Sequence, residues 1–342
     1  MAKEKRLLLV YSFGHTCVDL LGGFLLYRKV FTTDNYLFLW IVVYHGLAFC
    51  LEPVVGYFTD KYKKINFGII GMALVVLGYF VASLSRFTGT FMAGLGNAMF
   101  HIAGGYISLH QSDKKLWEPA FFVSTGAIGV TLGKLFGNNT VSDLLICLIF
   151  GILPLVLLVI NKVPSDLRNR DGYFGITREE NKDLSLILVI VSLCIRGYIG
   201  FTFSFSWDYK YKIIFLTAMV VLGKILGGVL SDRFGSYKVA IISSVVSAVC
   251  FILADVHFLF GLSALLCTNM VMVHSLVCVS DLLPDKTGLA FGIIPFGLYA
   301  GFLLSMVLNI TGISYKVVVV ILSLSVAYIY KTVLKEKNYD KD

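Results

Sequence analysis

The sequence predicts an all-α integral membrane protein with twelve transmembrane helices in two pseudo-symmetric six-helix halves. Three observations support this fold class. The 342 residues are 57% hydrophobic and only 15% charged, which is more apolar surface than a soluble domain of this size can bury. The apolar residues form twelve runs, each close to the length that a spanning helix requires. One short motif occurs twice, 172 residues apart, which is close to half of the chain.

The apolar runs are separated mostly by short polar links. They lack the period-two alternation of a transmembrane β-strand, so each is interpreted as a helix. The predicted spans are 7–28, 36–58, 65–85, 89–111, 117–137, 142–161, 184–206, 211–231, 238–254, 257–280, 287–309 and 314–334. The charged segment 162–183 is longer, and we interpret it as a linker between an N-terminal half, 1–161, and a C-terminal half, 184–342.

Charge distribution predicts the orientation of the chain. With the N-terminus inside, the inner links hold 20 of the 29 Lys and Arg residues, the outer links hold 6, and 3 lie within spans. Positive charge accumulates on the cytoplasmic side of membrane proteins, so we expect both termini and the linker to be cytoplasmic. The same bias explains the net charge of +8 without a nucleic-acid partner. The charged N-terminus leads into a full-length span, so no cleavable presequence is expected.

The cysteine pattern argues against disulfides and metal sites. All seven cysteines lie singly within apolar runs and none forms a CxxC pair, so we expect small packing residues. Nucleotide-binding loops and HExxH motifs are absent from the sequence. We therefore expect no metal, no cofactor, no ATP-driven step and no enzymatic activity.

The repeated motif follows the second apolar run of each half. A glycine is followed four residues later by an aspartate and then by a basic residue. These residues are Gly56, Asp60 and Lys61 in the first copy and Gly228, Asp232 and Arg233 in the second. A turn of this kind can simply end a helix and supply inner-side positive charge. Its recurrence at half-chain spacing favours a shared mechanical role.

Two six-span halves with this motif after spans two and eight resemble the major facilitator superfamily. Within it, the chain is most similar to the fosmidomycin-resistance branch of efflux proteins. The matching stretches are His15 to Asp19, Pro53 to Tyr62, Gly96 to His101, and Leu282 to Pro284 with Gly288. The chain departs from that branch after His101, where Pro-Glu is replaced by Ile-Ala, and at Lys134, where a proline is expected. The branch's substrate is therefore not carried over.

The resemblance implies a gating role for the two motif acids. Asp60 is expected to face the N-terminus of span eleven, and Asp232 the N-terminus of span five, which opens at Trp117. The free N–H groups and the dipole of a helix N-terminus favour an anion. Such contacts close one side of a transporter and loosen when its halves move.

Charges within the spans mark candidate functional residues, because a charge in the bilayer is costly unless it faces a cavity or a partner. His15 and Asp19 are four residues apart on span one and share a face. We predict proton coupling through Asp19 and His15, with Glu52 as a further candidate. The alternatives are a static His15–Asp19 pair that only packs helices, and a pairing of Glu52 with a neighbouring helix.

Arg196 lies in the middle of span seven, which corresponds to span one in the second half. Its planar guanidinium suits a carboxylate or phosphate, so we predict contact with substrate or with Asp19, against a structural ion pair. The other predicted substrate-binding residues are His101, Asn97, Lys224, Lys134 and Asn269. Each has a simpler alternative, namely helix packing for the histidine and amides, pairing with a neighbouring helix for Lys224 and an outward-reaching side chain for Lys134.

These residues predict the kind of solute. The deep cations are Lys134, Arg196 and Lys224, and the deep anions are Asp19 and Glu52, a balance that favours a small anionic or zwitterionic organic molecule. We therefore expect a monomeric, multi-pass secondary transporter in the cytoplasmic membrane, with solute, protons and lipid as its partners. The resemblance favours proton-coupled efflux by antiport. The alternatives are proton-coupled uptake by symport and a receptor or scaffold that retains the fold.

Overall fold

The computed structural model of the protein describes residues 2–31, 36–163, 172–178, 180–205, 207, 211–308 and 313–336. Part of the predicted linker, residues 164–171 and 179, lies outside these ranges. Within them, a helix occupies each of the twelve predicted spans. Pairing of extended backbone in this part of the chain is limited to one isolated bridge between Thr177 and Leu334.

The first six spans contain eight α-helices, because a π-helical turn divides the second span and another divides the sixth, while a third π-helical turn only extends α1. The helices are α1 (Ala2–Leu25), α2 (Leu37–His45), α3 (Glu52–Lys61), α4 (Phe67–Val81), α5 (Arg86–Gln111), α6 (Trp117–Gly137), α7 (Asp143–Cys147) and α8 (Leu153–Ile160). The π-helical turns cover Leu26–Val30, Gly46–Cys50 and Leu148–Ile152. The second of these turns ends just before α3, and Pro53 occupies the first turn of that helix, where a missing N–H breaks no helical bond.

The last six spans contain seven α-helices, because the tenth span is broken at Val271. They are α9 (Lys182–Thr202), α10 (Lys212–Phe234), α11 (Ser236–Leu253), α12 (Phe258–Met270), α13 (Met272–Leu282), α14 (Thr287–Val307) and α15 (Ile313–Val333). The break leaves the last carbonyl groups of α12 in the interior of a span, where they require partners other than lipid.

Ten of the twelve predicted spans form helices that are long and apolar enough to cross a membrane. The shorter apolar helix α4 covers only Phe67–Val81. Helix α5 is 26 residues long, but it carries the buried polar side chains of Asn97, His101, His110 and Gln111. Polar residues of this kind occur in a spanning helix when it faces other helices.

The chain forms two compact units. Unit 1 consists of Met1–Asp113, Phe122–Asp171 and Asp285–Phe296, and unit 2 consists of Lys114–Phe121, Gly172–Pro284 and Gly297–Asp342. Unit 1 thus includes the first part of α14, and unit 2 includes the first turn of α6.

Glycines of the repeated motif allow close helix contacts inside each unit. In unit 1, a side chain at Gly56 would collide with the backbone of Gly288 on α14. In unit 2, a side chain at Gly228 would collide with Leu116 and Trp117 at the start of α6. Small residues let membrane helices approach backbone to backbone, and here they bring each motif helix against the N-terminus of another helix.

Candidate functional site

Unit 1 contains a cluster of titratable side chains in the interior of its apolar helices. Helix α1 supplies His15 and Asp19, which lie one turn apart on the same face. The Nε2 atom of His15 is 3.4 Å from Oδ2 of Asp19. The side chain of Asp19 is 11% exposed, so this carboxylate is largely removed from solvent.

Helix α5 contributes two residues that contact the same carboxylate. Asn97 and His101 are also one turn apart and share a face of α5. The Nδ2 atom of Asn97 donates a hydrogen bond to Oδ1 of Asp19 at 2.9 Å. The Nε2 atom of His101 lies 3.0 Å from the same oxygen. Asp19 is therefore held by three side chains from two helices.

Glu52 extends the cluster to a third helix. It is the first residue of α3, directly after the π-helical turn, and it is fully buried. Its Oε1 atom lies 3.0 Å from Nδ1 of His101, while its Oε2 atom is buried without a hydrogen-bond partner among the described residues. His101 thus lies between two carboxylates, one on each ring nitrogen.

The partners of the two imidazoles indicate where their protons reside. Nδ1 of His15 lies 2.9 Å from the carbonyl oxygen of Phe122, which can only accept, so this nitrogen donates. Nε2 of His15 then faces Asp19 without a proton when the ring is neutral. When both carboxylates are ionised, His101 donates from both nitrogens and is an imidazolium.

Aromatic rings separate the cluster from water. The ring of His15 stacks on Phe122, with centroids 4.6 Å apart, and meets the ring of His101 edge-on at 4.5 Å. The ring of Phe49 lies over that of His101, with centroids 6.3 Å apart and an interplanar angle of 27°. A low-dielectric environment strengthens the attraction between these charges and also makes an unpaired charge expensive. The ion-pair partners of Asp19 and Glu52 in the described part of the chain are histidines.

Sequence reasoning predicted the contact between His15 and Asp19 but did not join them to the other helices. His101 was assigned to substrate and Glu52 to proton coupling, whereas the two side chains form one hydrogen-bonded pair. The sequence also predicted no metal site. His15, Asp19 and His101 nevertheless place one ligand atom each within 4.8 Å of one another. Helices α1 and α5, which carry these residues, are distant in sequence, so no local sequence motif indicates that the three side chains meet.

The motif acids make the helix-end contacts that the resemblance implied. In unit 1, Asp60 accepts hydrogen bonds from the backbone N–H groups of Gly288 at 2.8 Å and Leu289 at 2.9 Å, at the start of α14. In unit 2, Asp232 accepts from Leu116 at 2.8 Å and Trp117 at 3.0 Å, at the start of α6. Each acid occupies the position of an N-capping anion supplied by another helix.

The basic residues of the motif are exposed and contact the aromatic residue that follows them. The ammonium of Lys61 lies 5.4 Å from the ring centroid of Tyr62, and the guanidinium of Arg233 lies 5.2 Å from that of Phe234. In both copies of the motif, therefore, the acid caps a helix N-terminus and the basic residue contacts an adjacent aromatic ring.

Arg196 is buried in unit 2, with only 7% of its surface exposed. Its Nε donates to the carbonyl oxygen of Thr268 at 3.3 Å, and its Nη1 lies 3.0 Å from the sulfur of Met272. Thr268 is in the last turn of α12, where the helix dipole is negative. The guanidinium therefore stabilises the helix end at the break in the tenth span.

The remaining predicted substrate residues are Asn269, Lys134 and Lys224. Asn269 donates to the carbonyl of Leu265 in its own helix at 2.8 Å. Lys134, near the end of α6, places its ammonium 5.6 Å from the ring centroid of Tyr27. Lys224 lies partly buried on α10 in unit 2. Their roles in substrate binding stay predictions.

No family model matches this sequence, and no curated protein matches it either. Solved structures do match its fold. The fucose:proton symporter FucP of E. coli aligns with 15% identity, 95% coverage of both chains and a TM-score of 0.64. The human organic anion transporter MFSD10 aligns with 12% identity, coverage of 96% of this chain and 97% of that chain, and a TM-score of 0.60.

A bacterial homologue of the iron transporter ferroportin, in an outward-facing state, aligns with 13% identity, 97% coverage of this chain, 98% coverage of that chain and a TM-score of 0.57. Another FucP structure is described as a major facilitator superfamily transporter. Identities this low establish the fold alone. The chain has the twelve-helix fold of major facilitator superfamily transporters, which confirms the predicted fold class, while the fosmidomycin-resistance branch stays a prediction.

Proposed function

We propose that this protein is a secondary active transporter that moves a small anionic or zwitterionic organic solute by alternating access, coupled to protons. The observation that carries this proposal is the buried chain Asp19–His101–Glu52, whose members come from α1, α5 and α3. Transporters concentrate ionisable groups of this kind where ions and substrates cross the membrane. An enzyme of the same fold would turn over its substrate without a sealed compartment. The sequence shows no set of catalytic residues that favours this alternative.

Coupling to protons follows from the charges of the cluster. Two carboxylates flank one imidazole, so loss of the His101 proton would leave two buried negative charges without a full counter-charge. The protonation states of the three groups are therefore linked, and the cluster titrates as a unit. A change of conformation that separates His101 from either carboxylate changes the number of protons the cluster holds, which is the requirement for coupling.

Arg196 supports an anionic solute. Its present partners are a carbonyl oxygen and a thioether sulfur, both weaker partners for a guanidinium than a carboxylate or phosphate. An anion that reached Arg196 would gain a charge-assisted pair of hydrogen bonds. Asn97, Lys224, Lys134 and Asn269 remain the further candidates for substrate contact.

The motif acids supply the conformational part of the proposal. Asp60 and Asp232 each cap a helix N-terminus through two backbone hydrogen bonds, and each contact contributes roughly 1 kcal/mol. That magnitude biases an equilibrium between two states without fixing either. The halves 1–161 and 184–342 would alternate the access of a midplane site, with the motif contacts made in one state and released in the other.

Efflux by antiport, in the cytoplasmic membrane with both termini in the cytoplasm, is the direction that the resemblance to the fosmidomycin-resistance branch favours. Uptake by symport uses the same residues and is the first alternative, and the solved structures with this fold include a fucose:proton symporter. A receptor or scaffold that retains the fold is the second alternative. It predicts no flux and tolerance of Asp19→Asn and Arg196→Ala.

Solute flux in sealed proteoliposomes under an imposed pH gradient tests the proposal. The purified protein is reconstituted and offered small organic anions, phosphonates and neutral drugs. We expect gradient-driven movement of an anion that falls at least about 100-fold in Asp19→Asn, since a general proton-transfer group contributes that much or more. Asp183→Asn is the matched control, because this exposed carboxylate lies at the start of α9. Flux that persists in Asp19→Asn removes Asp19 from the coupling role, and the direction of movement separates antiport from symport.

A further inference from the structure

Three ligand atoms converge in the buried cluster of unit 1. They belong to His15, Asp19 and His101, and they lie within 4.8 Å of one another. We propose that these three side chains bind one divalent first-row transition-metal ion, as an alternative to protons, with Glu52 orienting His101. This site goes beyond the proposed transport, because binding of a metal at equilibrium requires neither a gradient nor a solute.

The orientation of both imidazoles suits a metal. His15 directs Nδ1 to the carbonyl oxygen of Phe122 at 2.9 Å, and His101 directs Nδ1 to Oε1 of Glu52 at 3.0 Å. Metal-binding histidines characteristically donate this second N–H to a carbonyl or carboxylate, which fixes the ring and raises its basicity. Both Nε2 atoms are then left to face one acceptor, Asp19.

That arrangement demands a cation. Two neutral imidazoles held in this way present two lone pairs to a carboxylate that has lone pairs of its own. The three groups repel one another unless a positive charge lies among them, supplied either by protons on the rings or by a metal ion. A metal satisfies all three at once and leaves both Nδ1–H bonds in place.

The contacts of both imidazoles with the carboxylate have the spacing of coordinating atoms. Ligand atoms bound at about 2.1 Å to one tetrahedral or octahedral ion lie about 3.0–3.4 Å apart. The Nε2 atom of His101 is 3.0 Å from Oδ1 of Asp19, and Nε2 of His15 is 3.4 Å from Oδ2. These two contacts are to different oxygens of the carboxylate, and the three ligand atoms as a set lie within 4.8 Å of one another, so the side chains have to draw together for one ion to bind all three.

A glycine on α6 supplies an independent observation. A side chain at Gly126 would collide with both Oδ2 of Asp19 and Nε2 of His15. Gly126 lies one turn after Phe122, whose carbonyl holds His15. The missing Cβ thus lets α6 approach two of the three ligand atoms closely, and any larger residue would have to displace them.

The donor set defines the class of ion. Two imidazole nitrogens and one carboxylate oxygen favour iron(II), cobalt(II), nickel(II) or zinc(II), whereas magnesium and calcium prefer oxygen ligands throughout. Two histidines and one carboxylate are also a set that leaves further coordination positions open. The second oxygen of Glu52 is buried without a hydrogen-bond partner among the described residues, so the second carboxylate adds negative charge that favours a divalent ion.

Titration of the purified full-length protein with Co²⁺ tests this site, with the visible ligand-field absorption of the ion as the readout. We expect one saturable site in the wild type that becomes 10- to 100-fold weaker in Glu52→Gln, the usual effect of removing a carboxylate behind a ligating histidine. A larger loss is expected in His101→Ala. His257→Ala is the control, because His257 is an exposed imidazole at the start of α12.

Gly126→Ala keeps all three ligands in the sequence but displaces the ligand atoms of His15 and Asp19. We expect it to weaken Co²⁺ binding at least tenfold while the protein retains its elution profile and helical circular dichroism. The same two measurements on the ligand variants show whether a loss of binding there is caused by misfolding. The inference is overturned if the wild type shows no saturable site, or if Co²⁺ binds Gly126→Ala and His101→Ala as it binds the wild type. Either result leaves the proton-coupled flux of the proposed function untouched, so the two failures are distinguishable.

Discussion

The two units hold their buried charges in different chemical forms. In unit 1, Asp19 and Glu52 both pair with His101, and every member of the cluster can gain or lose a proton. In unit 2, Arg196 is a buried cation whose partners are the carbonyl of Thr268 and the sulfur of Met272. A guanidinium keeps its charge at any pH that a cell meets.

In the transporter proposed above, this difference would separate two tasks, the exchange of a cation and the attraction of a solute. Asp19 and Arg196 lie on corresponding spans, one and seven. The cluster whose charge can change and the residue whose charge is fixed therefore occupy related positions. Arg196 stabilises the C-terminal end of α12 at a break in a span, a position where other transporters place a coupling cation. We infer that unit 1 handles the exchangeable cation and unit 2 attracts the anionic group of a solute.

Removing His101 should have the largest effect on stability. In His101→Ala, Asp19 and Glu52 lose their shared partner and remain buried, which costs about 3–5 kcal/mol when one member of a buried ion pair is deleted. Thermal unfolding in detergent measures this loss. The double variant His101→Ala/Glu52→Gln should recover part of it, since it carries one buried carboxylate fewer. Additive losses in the double variant would show that the cluster is not electrostatically linked.

Arg196→Met should cost less, and this result would sharpen the comparison. The variant removes a buried charge whose partners are neutral. It loses the contact with the helix end, which is worth roughly 1–3 kcal/mol, but it no longer carries the free-energy cost of burying the charge, and the second effect offsets the first. We expect a change in unfolding free energy below about 2 kcal/mol together with loss of anion flux. Arg196→Lys retains the positive charge but lacks the planar guanidinium that can donate two parallel hydrogen bonds to an anion, so it should transport with a raised KM. Unfolding as severe as that of His101→Ala would make Arg196 a structural residue.

The sequence contained enough information for the fold and for part of the site. Twelve apolar runs predicted the helices because lipid requires long, internally hydrogen-bonded segments. Their ends differ by a few residues, and the break at Val271 was not predicted, since no proline or glycine marks it. The pair His15–Asp19 was predictable because its two members lie on one helix face, whereas the contact of His101 with Glu52 depends on tertiary packing.

Asp281 shows most clearly what sequence could not provide. Its buried carboxylate accepts four backbone hydrogen bonds from Phe174, Gly175, Ile176 and Thr177, at 2.5–3.2 Å. These donors, residues 174–177, belong to the segment predicted as a charged linker, and this part of it packs within unit 2. Backbone donors carry no side-chain signature, so an acid near the end of an apolar helix gave no indication of this arrangement.

The smallest effects are expected at the motif acids, where the two units resemble each other. Asp60→Asn and Asp232→Asn each weaken an N-terminal cap and should lower the free energy of unfolding by about 1 kcal/mol. The exposed bases provide matched controls, because Lys61→Gln and Arg233→Gln remove only a surface cation–π contact worth roughly 0.5–1 kcal/mol and leave the caps intact.

Equal losses at Asp60 and Asp232 are the central expectation, since each carboxylate receives two backbone N–H groups at closely similar distances. Reactivity of single cysteines introduced near Gly288 and near Trp117 would report whether each helix N-terminus becomes more accessible when its cap is lost. If one acid proved silent in both measurements while the other did not, the repeated motif would act in one unit only. The units would then differ in mechanics as well as in the form of their buried charge.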